Sequence, residues 1–436
     1  MWQDNYKKTL VRNIILAVVI VLILAALALA MLTVHRETKA QDAQLVEVYG
    51  QQQKEQTEAR REAVDAIEAQ YEADLNTIAE YMPGIVCWGD NLTAGSSGNV
   101  SYPDVLQKYI NAYICDIYDF RSTIENASDY SRLKWDDYKV SIPVVNMGAG
   151  EEDVNTILGR SGVVPYIVSS EFTIPADTQS VEINFTSQNG KAVTPLTDGG
   201  AGVNNVSIGG IEGVLSIDPD SYKRLNLNKY YFTRCEAGEE KTVAVGTPIK
   251  TAASDEYLDY IHVICIGTYG GYSSTDELVQ LTKELASRQT ANKDRYIVIG
   301  LCSSNGFWNY GSAVNLDVVD TAMSQAFGEH YINVRKYLCT DGLSDAGITP
   351  TDNDVSNMQR GIVPESLRSP RGDAELSGKA YMLIGKLVYD RMEKLGYFDE
   401  IKKELCIEET KKQLLKDDPD YFTRTFNALN TGNLYG

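Results

Sequence analysis

Histidine is scarce in this chain, and that scarcity limits the chemistry available to it. The 436 residues include three histidines: His35, His262 and His330. A serine or cysteine nucleophile is usually activated by a neighbouring base, so any Ser-His or Cys-His mechanism must use one of these three. His35 flanks a long apolar segment, His262 lies in the apolar run 260–267, and His330 lies far upstream of the last amphipathic helix. The histidines therefore favour no nucleophilic mechanism.

Cysteine does not indicate a metal or disulfide site either. The chain has seven cysteines without a CxxC pair, so neither a zinc site nor a disulfide framework is predicted. Cys87 and Cys265 lie inside apolar runs, where small buried thiols are expected. We expect no metal and no cofactor.

Residues 84–95 have the pattern of a strand that enters a tight turn and then a helix. Ile85 to Trp88 is apolar, Gly89 and Gly95 lie in the turn region, and residues 102–106 begin a predicted helix. This geometry lifts the residue after the strand to the carboxyl edge of a parallel sheet. The residues at that edge would be Asp90 and Asn91.

Four segments together resemble the SGNH (GDSL) hydrolases, which are esterases with a flavodoxin-like α/β fold. The first is residues 89–92, Gly-Asp-Asn-Leu, where the family has Gly-Asp-Ser-Leu. Residues 144–151 resemble the second block, residues 267–270 the third, and residues 372–377 the last block before a closing helix. The resemblance covers residues 84–398 and implies a three-layer sandwich around a parallel sheet.

The same resemblance implies that every signature residue is replaced. The nucleophilic serine is Asn91, the oxyanion-hole glycine is Glu151, the oxyanion-hole asparagine is Tyr269, the base histidine is Glu375, and the aspartate partner is Gly372 unless a shifted loop lets Asp373 serve. A carboxamide is a very poor nucleophile, and a carboxylate near the developing oxyanion would repel it. We therefore expect a pseudoenzyme without ordinary serine-esterase activity.

Two other interpretations use the same residues. Asp90, Glu151, Glu152, Asp373 and Glu375 would crowd one cleft of this fold, and paired carboxylates can hydrolyse glycosides or hold a divalent metal. Alternatively, they are solvated loop acids. The candidate ligand cleft consists of Asp90, Asn91, Asn146, Glu151, Tyr269 and Glu375.

The elements that must position this cleft begin with a membrane anchor. Residues 13–34 carry no charge and are long enough to span a bilayer, whereas a cleaved signal peptide, the alternative, has a shorter apolar core. Basic residues in segment 1–12 favour a cytoplasmic N-terminus, with the rest of the chain outside the cytoplasm. Residues 35–82 predict a helical stalk. A coiled-coil homo-oligomer is left open, because the heptad pattern fails at 51–56.

The remainder predicts one large domain over residues 83–398. Short β-branched runs between residues 162 and 251 indicate an all-β insertion, a small sandwich or barrel. Residues 399–436 predict a charged helix and a loose tail.

The formal net charge of −20 makes nucleic acid an unfavourable partner, because an acidic chain repels phosphate. We therefore expect a membrane-anchored binding module at the cell surface that contacts a glycan or a protein. Alternatives are a hydrolase with rebuilt acidic chemistry at Glu151 and Glu375, and a structural subunit of a surface assembly.

Overall fold

The computed structural model describes residues 2–95, 100–125, 135–197, 200–221, 228–290, 294–303, 315–369 and 372–430. It divides into two compact units, Met1–Ala73 and Asp74–Gly436. All strands within the described residues belong to the second unit.

The helices within the described residues alternate with strands through most of the second unit, as in a mixed α/β protein. They are α1 (Trp2–Tyr81), α2 (Asn91–Ala94), α3 (Tyr102–Ile110), α4 (Asp116–Glu125), α5 (Val154–Arg160), α6 (Thr275–Ala286), α7 (Leu316–Phe327), α8 (Val334–Thr340), α9 (Gly342–Asp345), α10 (Asp352–Gln359), α11 (Gly378–Lys394), α12 (Asp399–Glu404), α13 (Ile407–Asp417) and α14 (Tyr421–Asn430).

The strands are short, and most carry β-branched or aromatic residues. They are β1 (Ile85–Gly89), β2 (Val144–Gly148), β3 (Tyr166–Val168), β4 (Phe172–Ile174), β5 (Val181–Ile183), β6 (Phe185–Ser187), β7 (Val206–Ile208), β8 (Ile211–Ile217), β9 (Tyr230–Arg234), β10 (Lys241–Val243), β11 (Pro248–Thr251), β12 (Ile261–Cys265), β13 (Tyr296–Ile299), β14 (Tyr331–Ile332), β15 (Arg368–Ser369) and β16 (Gly372–Leu376).

The first unit consists of the N-terminal part of α1. Among the described residues, α1 is the one helix that is long and apolar enough to cross a membrane, and the apolar segment lies near its N-terminus. Its apolar side chains between Leu10 and Val34 are exposed, as they would be in contact with lipid. Residues 35–62 continue the helix as an exposed polar segment.

A five-stranded parallel sheet forms the centre of the second unit. Its strand order is β14-β13-β12-β1-β2, and each neighbouring pair is parallel. Numbered along the chain, these five strands have the order 2-1-3-4-5, one of the common doubly wound orders. One face packs Val86, Trp88 and Ile264 against residues of α5, α6 and α7. On the other face, α3 contacts β2 and packs against α11.

The chain between β2 and β12 forms an antiparallel sheet with the order β5-β9-β8-β7-β11-β3-β6. Strands β5 and β6 lie at opposite ends of this order, yet only Asn184 separates them in the chain. The two end strands of the sheet are therefore consecutive in the chain. The apolar core packed on this sheet includes Tyr166, Phe232 and Ile249.

The C-terminal segment is better packed than the sequence predicts. Helix α14 places Phe422 on Tyr113 and Phe426 on Tyr109, with both pairs of ring centroids 4.7 Å apart. The expectation of a loose tail is therefore wrong for residues 421–430, because their aromatic side chains stack on α3 and the helical turn that follows it. Residues 431–436 lie outside the described residues.

Candidate functional site

The carboxyl ends of the parallel strands bring the predicted site segments to one edge of the sheet. Asp90 follows β1, Glu151 and Glu152 follow β2, and Thr268 and Tyr269 follow β12. The strand order reverses direction at β1, whose neighbours are β2 on one side and β12 on the other. In open α/β sheets, ligands bind in the crevice at such a switch point.

Asn91 begins helix α2 one residue after Asp90 ends the turn from β1, and its side chain is not free. The Asn91 Oδ1 atom accepts a hydrogen bond of 2.5 Å from the backbone N–H of Glu151. The Tyr381 hydroxyl on α11 donates to the Asn91 backbone oxygen over 3.4 Å. The structure therefore brings Asn91 and Glu151 into direct contact, across sixty positions of sequence.

Glycines let α2 lie against the strand ends. A Cβ atom at Gly89 would lie 2.0 Å from Thr93 Oγ1, and one at Gly148 would lie 2.1 Å from the backbone nitrogen of Ala94. Backbone atoms cannot withdraw as a flexible side chain can, so Gly148 is needed for the close approach of α2 to β2. Gly89 therefore allows α2 to pack closely, and Gly89 and Asp90 together form the turn between β1 and α2.

Asp90, the residue before Asn91, is fully buried. Its Oδ1 atom accepts the backbone N–H of Leu92 at 3.0 Å and so caps α2. Burial raises the pKa of Asp90 to about 6, and the charge of Glu152 adds to the increase, while the Leu92 amide and Thr268 oppose it. The second oxygen, Oδ2, is buried without a hydrogen bond of normal geometry to any described residue.

The neighbouring acids Glu151 and Glu152 have opposite environments. Glu151 is exposed and has a φ of 60°, a left-handed conformation that costs a non-glycine residue about 1–2 kcal/mol. Glu152 is 1% exposed. Burial raises the pKa of Glu152, and the adjacent Arg160 guanidinium opposes that rise. The interpretation of these acids as solvated loop residues is therefore wrong for Glu152.

Arg160 is a site residue that the sequence interpretation missed. Its guanidinium binds the Glu152 carboxylate at 2.8 and 2.9 Å and donates to the carbonyl oxygens of Met147 and Gly89 at 2.7 and 3.4 Å. It therefore ties the carboxyl ends of β1 and β2 to α5. The available signal was one arginine in a helix that is otherwise uncharged.

The remaining predicted cleft residues take structural or peripheral positions. Asn146 donates to Ser101 Oγ at 3.2 Å and accepts from the Gly148 amide at 2.9 Å, so its amide group braces the strand end. Tyr269 is buried, with 7% exposure.

Glu375 lies on β16, which contacts α2. Its charge contributes to raising the pKa of Tyr381, after burial and the effects of Cys302 and Asp90. The backbone of Gly372 and Asp373 belongs to β16, whereas the Asp373 side chain lies outside the described part of the chain.

Neither histidine of the second unit serves residue 91. His262 is buried near the amino end of β12, where its Nε2 atom lies 3.1 Å from the Tyr257 carbonyl oxygen, and burial lowers its pKa to about 4. His330 precedes β14 and stacks on Tyr296 with ring centroids 4.4 Å apart. Both lie toward the amino ends of parallel strands, the opposite edge from Asn91.

Within the described residues, no three His, Cys, Asp or Glu side chains are grouped so that they could hold a metal ion. The arrangement therefore offers hydrogen-bond acceptors and negative charge at the carboxyl edge.

Comparison of the chain with protein-family models gives no match. Comparison with curated proteins and with solved structures gives no match either.

Proposed function

We propose that this chain is a membrane-anchored binding module with an SGNH-hydrolase-like scaffold, and that it does not hydrolyse esters. The single observation that carries this proposal is the hydrogen bond from the Glu151 amide to Asn91 Oδ1. Residue 91, the expected nucleophile position, is thus a carboxamide that is already hydrogen-bonded and cannot act as an activated nucleophile. The ligand would be a glycan or a protein outside the cytoplasm.

The arrangement of the strands supports the proposed scaffold. The 2-1-3-4-5 order and the position of Asn91 at the switch point are the features expected of a flavodoxin-like sheet with its site at the carboxyl edge. The seven-stranded antiparallel sheet between β2 and β12 would be the all-β insertion of this family-like domain. We assign it to residues 162–251, with a role in ligand contact or in covering the edge.

The apolar segment of α1 supports the proposed location. Residues 13–34 would cross the membrane once, with residues 1–12 in the cytoplasm and the second unit on the other side. Residues 35–82 would then act as the stalk, of which residues 35–62 are the exposed polar part.

Ester hydrolysis by the full chain in detergent micelles tests the proposal. Short-chain acyl esters should give the same rate for the unmodified chain and for Asn91→Ala, equal to the rate in buffer. An exposed control variant, Glu329→Gln, should match both. Turnover by the unmodified chain that Asn91→Ala abolishes would overturn the proposal.

A further inference from the structure

We propose that helix α14 is a releasable strap, which covers a surface of tyrosine rings and leaves it while the rest of the second unit stays folded. The tyrosine surface consists of Tyr109 on α3, Tyr113 in the π-helical turn Asn111–Cys115 that follows α3, and Tyr389 on α11. The three rings stack on one another. This inference does not depend on the proposed function.

Two phenylalanine rings attach α14 to the tyrosine surface. The Phe422 ring lies on Tyr113 with an angle of 17° between the ring planes, and the Phe426 ring lies on Tyr109 with an angle of 18°. Both members of each helix pair are four positions apart, a spacing that places side chains on the same face of a helix. One turn of α14 is therefore laid along one turn of the helix beneath it.

The attachment of α14 is shallow. None of the side chains of residues 421–427 is buried, and Phe422 and Phe426 are half-buried. The Tyr421 hydroxyl donates to Asp116 Oδ2 over 3.1 Å at an exposed position. A helix of ten residues is not stable alone in water, so α14 is helical because it is docked. Elements with few buried contacts open at a lower free energy than the whole fold does.

The helices under the strap pack on each other without it. A Cβ atom at Gly385 of α11 would lie 2.9 Å from the backbone oxygen of Tyr102 on α3, so the two helices are in close contact. Leu106 and Ile110 of α3 and Ile384 of α11 are each 0% exposed. Because this packing belongs to α3 and α11 themselves, we expect it to persist when α14 leaves.

The composition of the covered surface suits exposure to water. Tyrosine combines an apolar ring with a hydroxyl group, so a tyrosine surface can be covered by rings or wetted. Tyr113 also lies in a π-helical turn, a rare feature that is frequent at functional sites. The Lys411 Nζ atom on α13 lies 5.5 Å from the Tyr113 ring centroid and 5.6 Å from that of Phe422, so it spans the border of the strap.

Amide hydrogen exchange of the full chain in detergent micelles, read by mass spectrometry, tests the inference. We expect residues 424–430 of α14 to exchange at least about a hundredfold faster than residues 381–392 of α11. The double variant Phe422→Ala, Phe426→Ala should bring α14 to the rate of an unstructured peptide and change α11 by less than about twofold. The control Thr423→Ser alters an exposed side chain of α14 and should leave both rates unchanged.

Acetylation of tyrosine hydroxyls by N-acetylimidazole measures the uncovering of the surface. In the double variant, Tyr113 should react at least about tenfold faster than in the unmodified chain. Tyr166, which is 0% exposed in the core of the antiparallel sheet, should stay unmodified in both. The variant Tyr421→Phe removes the hydrogen bond to Asp116 and should speed α14 exchange roughly threefold, which keeps the test valid if the double variant misfolds.

Three results would overturn the inference. Exchange of α14 at the rate of α11 in the unmodified chain would mean that α14 opens only with the whole unit. Faster α11 exchange or acetylation of Tyr166 in a folded double variant would mean that α14 is an integral part of the core. An unchanged rate at Tyr113 in the double variant would mean that α14 does not cover the tyrosine surface.

Discussion

The side-chain oxygen of Asn91 and the backbone N–H of Glu151 form a hydrogen bond of 2.5 Å between the carboxyl ends of β1 and β2. The Asn91 carboxamide therefore occupies the backbone donor of Glu151. Because Glu151 adopts a left-handed conformation, the bond also helps to fix the loop after β2. This contact links the identity of residue 91 to the shape of the edge.

Replacing Asn91 by serine should not produce an esterase. The Asn91→Ser hydroxyl would lack a histidine base, because His262 and His330 lie toward the amino ends of their strands and hydrogen-bond to Tyr257 and Tyr397. We expect acyl-ester turnover by Asn91→Ser to equal that of Asn91→Ala, measured as release of a chromogenic alcohol. A serine-dependent rate well above that of Asn91→Ala would show that another residue acts as the base.

Removing Arg160 should destabilise the second unit strongly. Arg160→Met leaves the buried Glu152 carboxylate without its partner, and breaking a buried pair in this way costs about 3–5 kcal/mol of unfolding free energy. The double variant Arg160→Met, Glu152→Leu should recover much of that loss, because the Glu152 charge is then removed together with its partner. Chemical denaturation followed by circular dichroism measures both. Lys386→Met, which removes an exposed ion pair with Asp390, should change stability by less than about 1 kcal/mol.

Glycine at position 151 should stabilise the fold. The φ of 60° at Glu151 is unfavourable for a side chain, so Glu151→Gly should raise the unfolding free energy by about 1 kcal/mol. The matched control is Glu171→Gly, at an exposed position without a left-handed φ, where glycine should cost about 0.5–1 kcal/mol. A loss of stability at both positions would mean that the Glu151 side chain makes contacts that outweigh its conformational strain.

Stability should depend on pH through Asp90. Its pKa is about 6 in the folded chain, against an ordinary value of 3.8, so the folded state binds the proton more tightly than the unfolded state does. The penalty of the buried carboxylate is therefore absent below about pH 4 and complete above about pH 6, where it reaches about 3 kcal/mol.

Asp90→Asn should accordingly raise the unfolding midpoint at pH 8 and leave it nearly unchanged at pH 4. Thermal unfolding across that range measures the difference. Asparagine can still accept the Leu92 amide, so the cap of α2 is retained. An equal shift of the unfolding midpoint at both pH values would mean that packing, rather than ionisation of Asp90, causes the shift.

Helices and strands whose type follows from the local composition of the chain were predictable from the sequence. The apolar composition of residues 13–34 predicts a segment able to cross a membrane, because a helix in lipid must satisfy its own backbone and expose apolar side chains. The apolar run before Gly89 predicts strand β1, and the polar residues after it predict a turn that begins a helix.

The contacts that define the edge were decided by the tertiary structure. Glu152 is no more apolar than Glu151 in sequence, yet one is buried on Arg160 and the other is exposed, because the path of α5 brings the arginine under the loop. The packing of α14 is similar, since its phenylalanines find rings on α3 and on the turn after it, about three hundred positions earlier.

Sequence alone therefore determined the apolar N-terminal helix, the parallel α/β core and the presence of Asn91 after its first strand. The tertiary structure decided that the Asn91 carboxamide is bound by the Glu151 amide and that Asp90 is fully buried. The physical reason is that helix and strand patterns depend on local composition, whereas burial and hydrogen-bond partners depend on which distant segments the fold brings together.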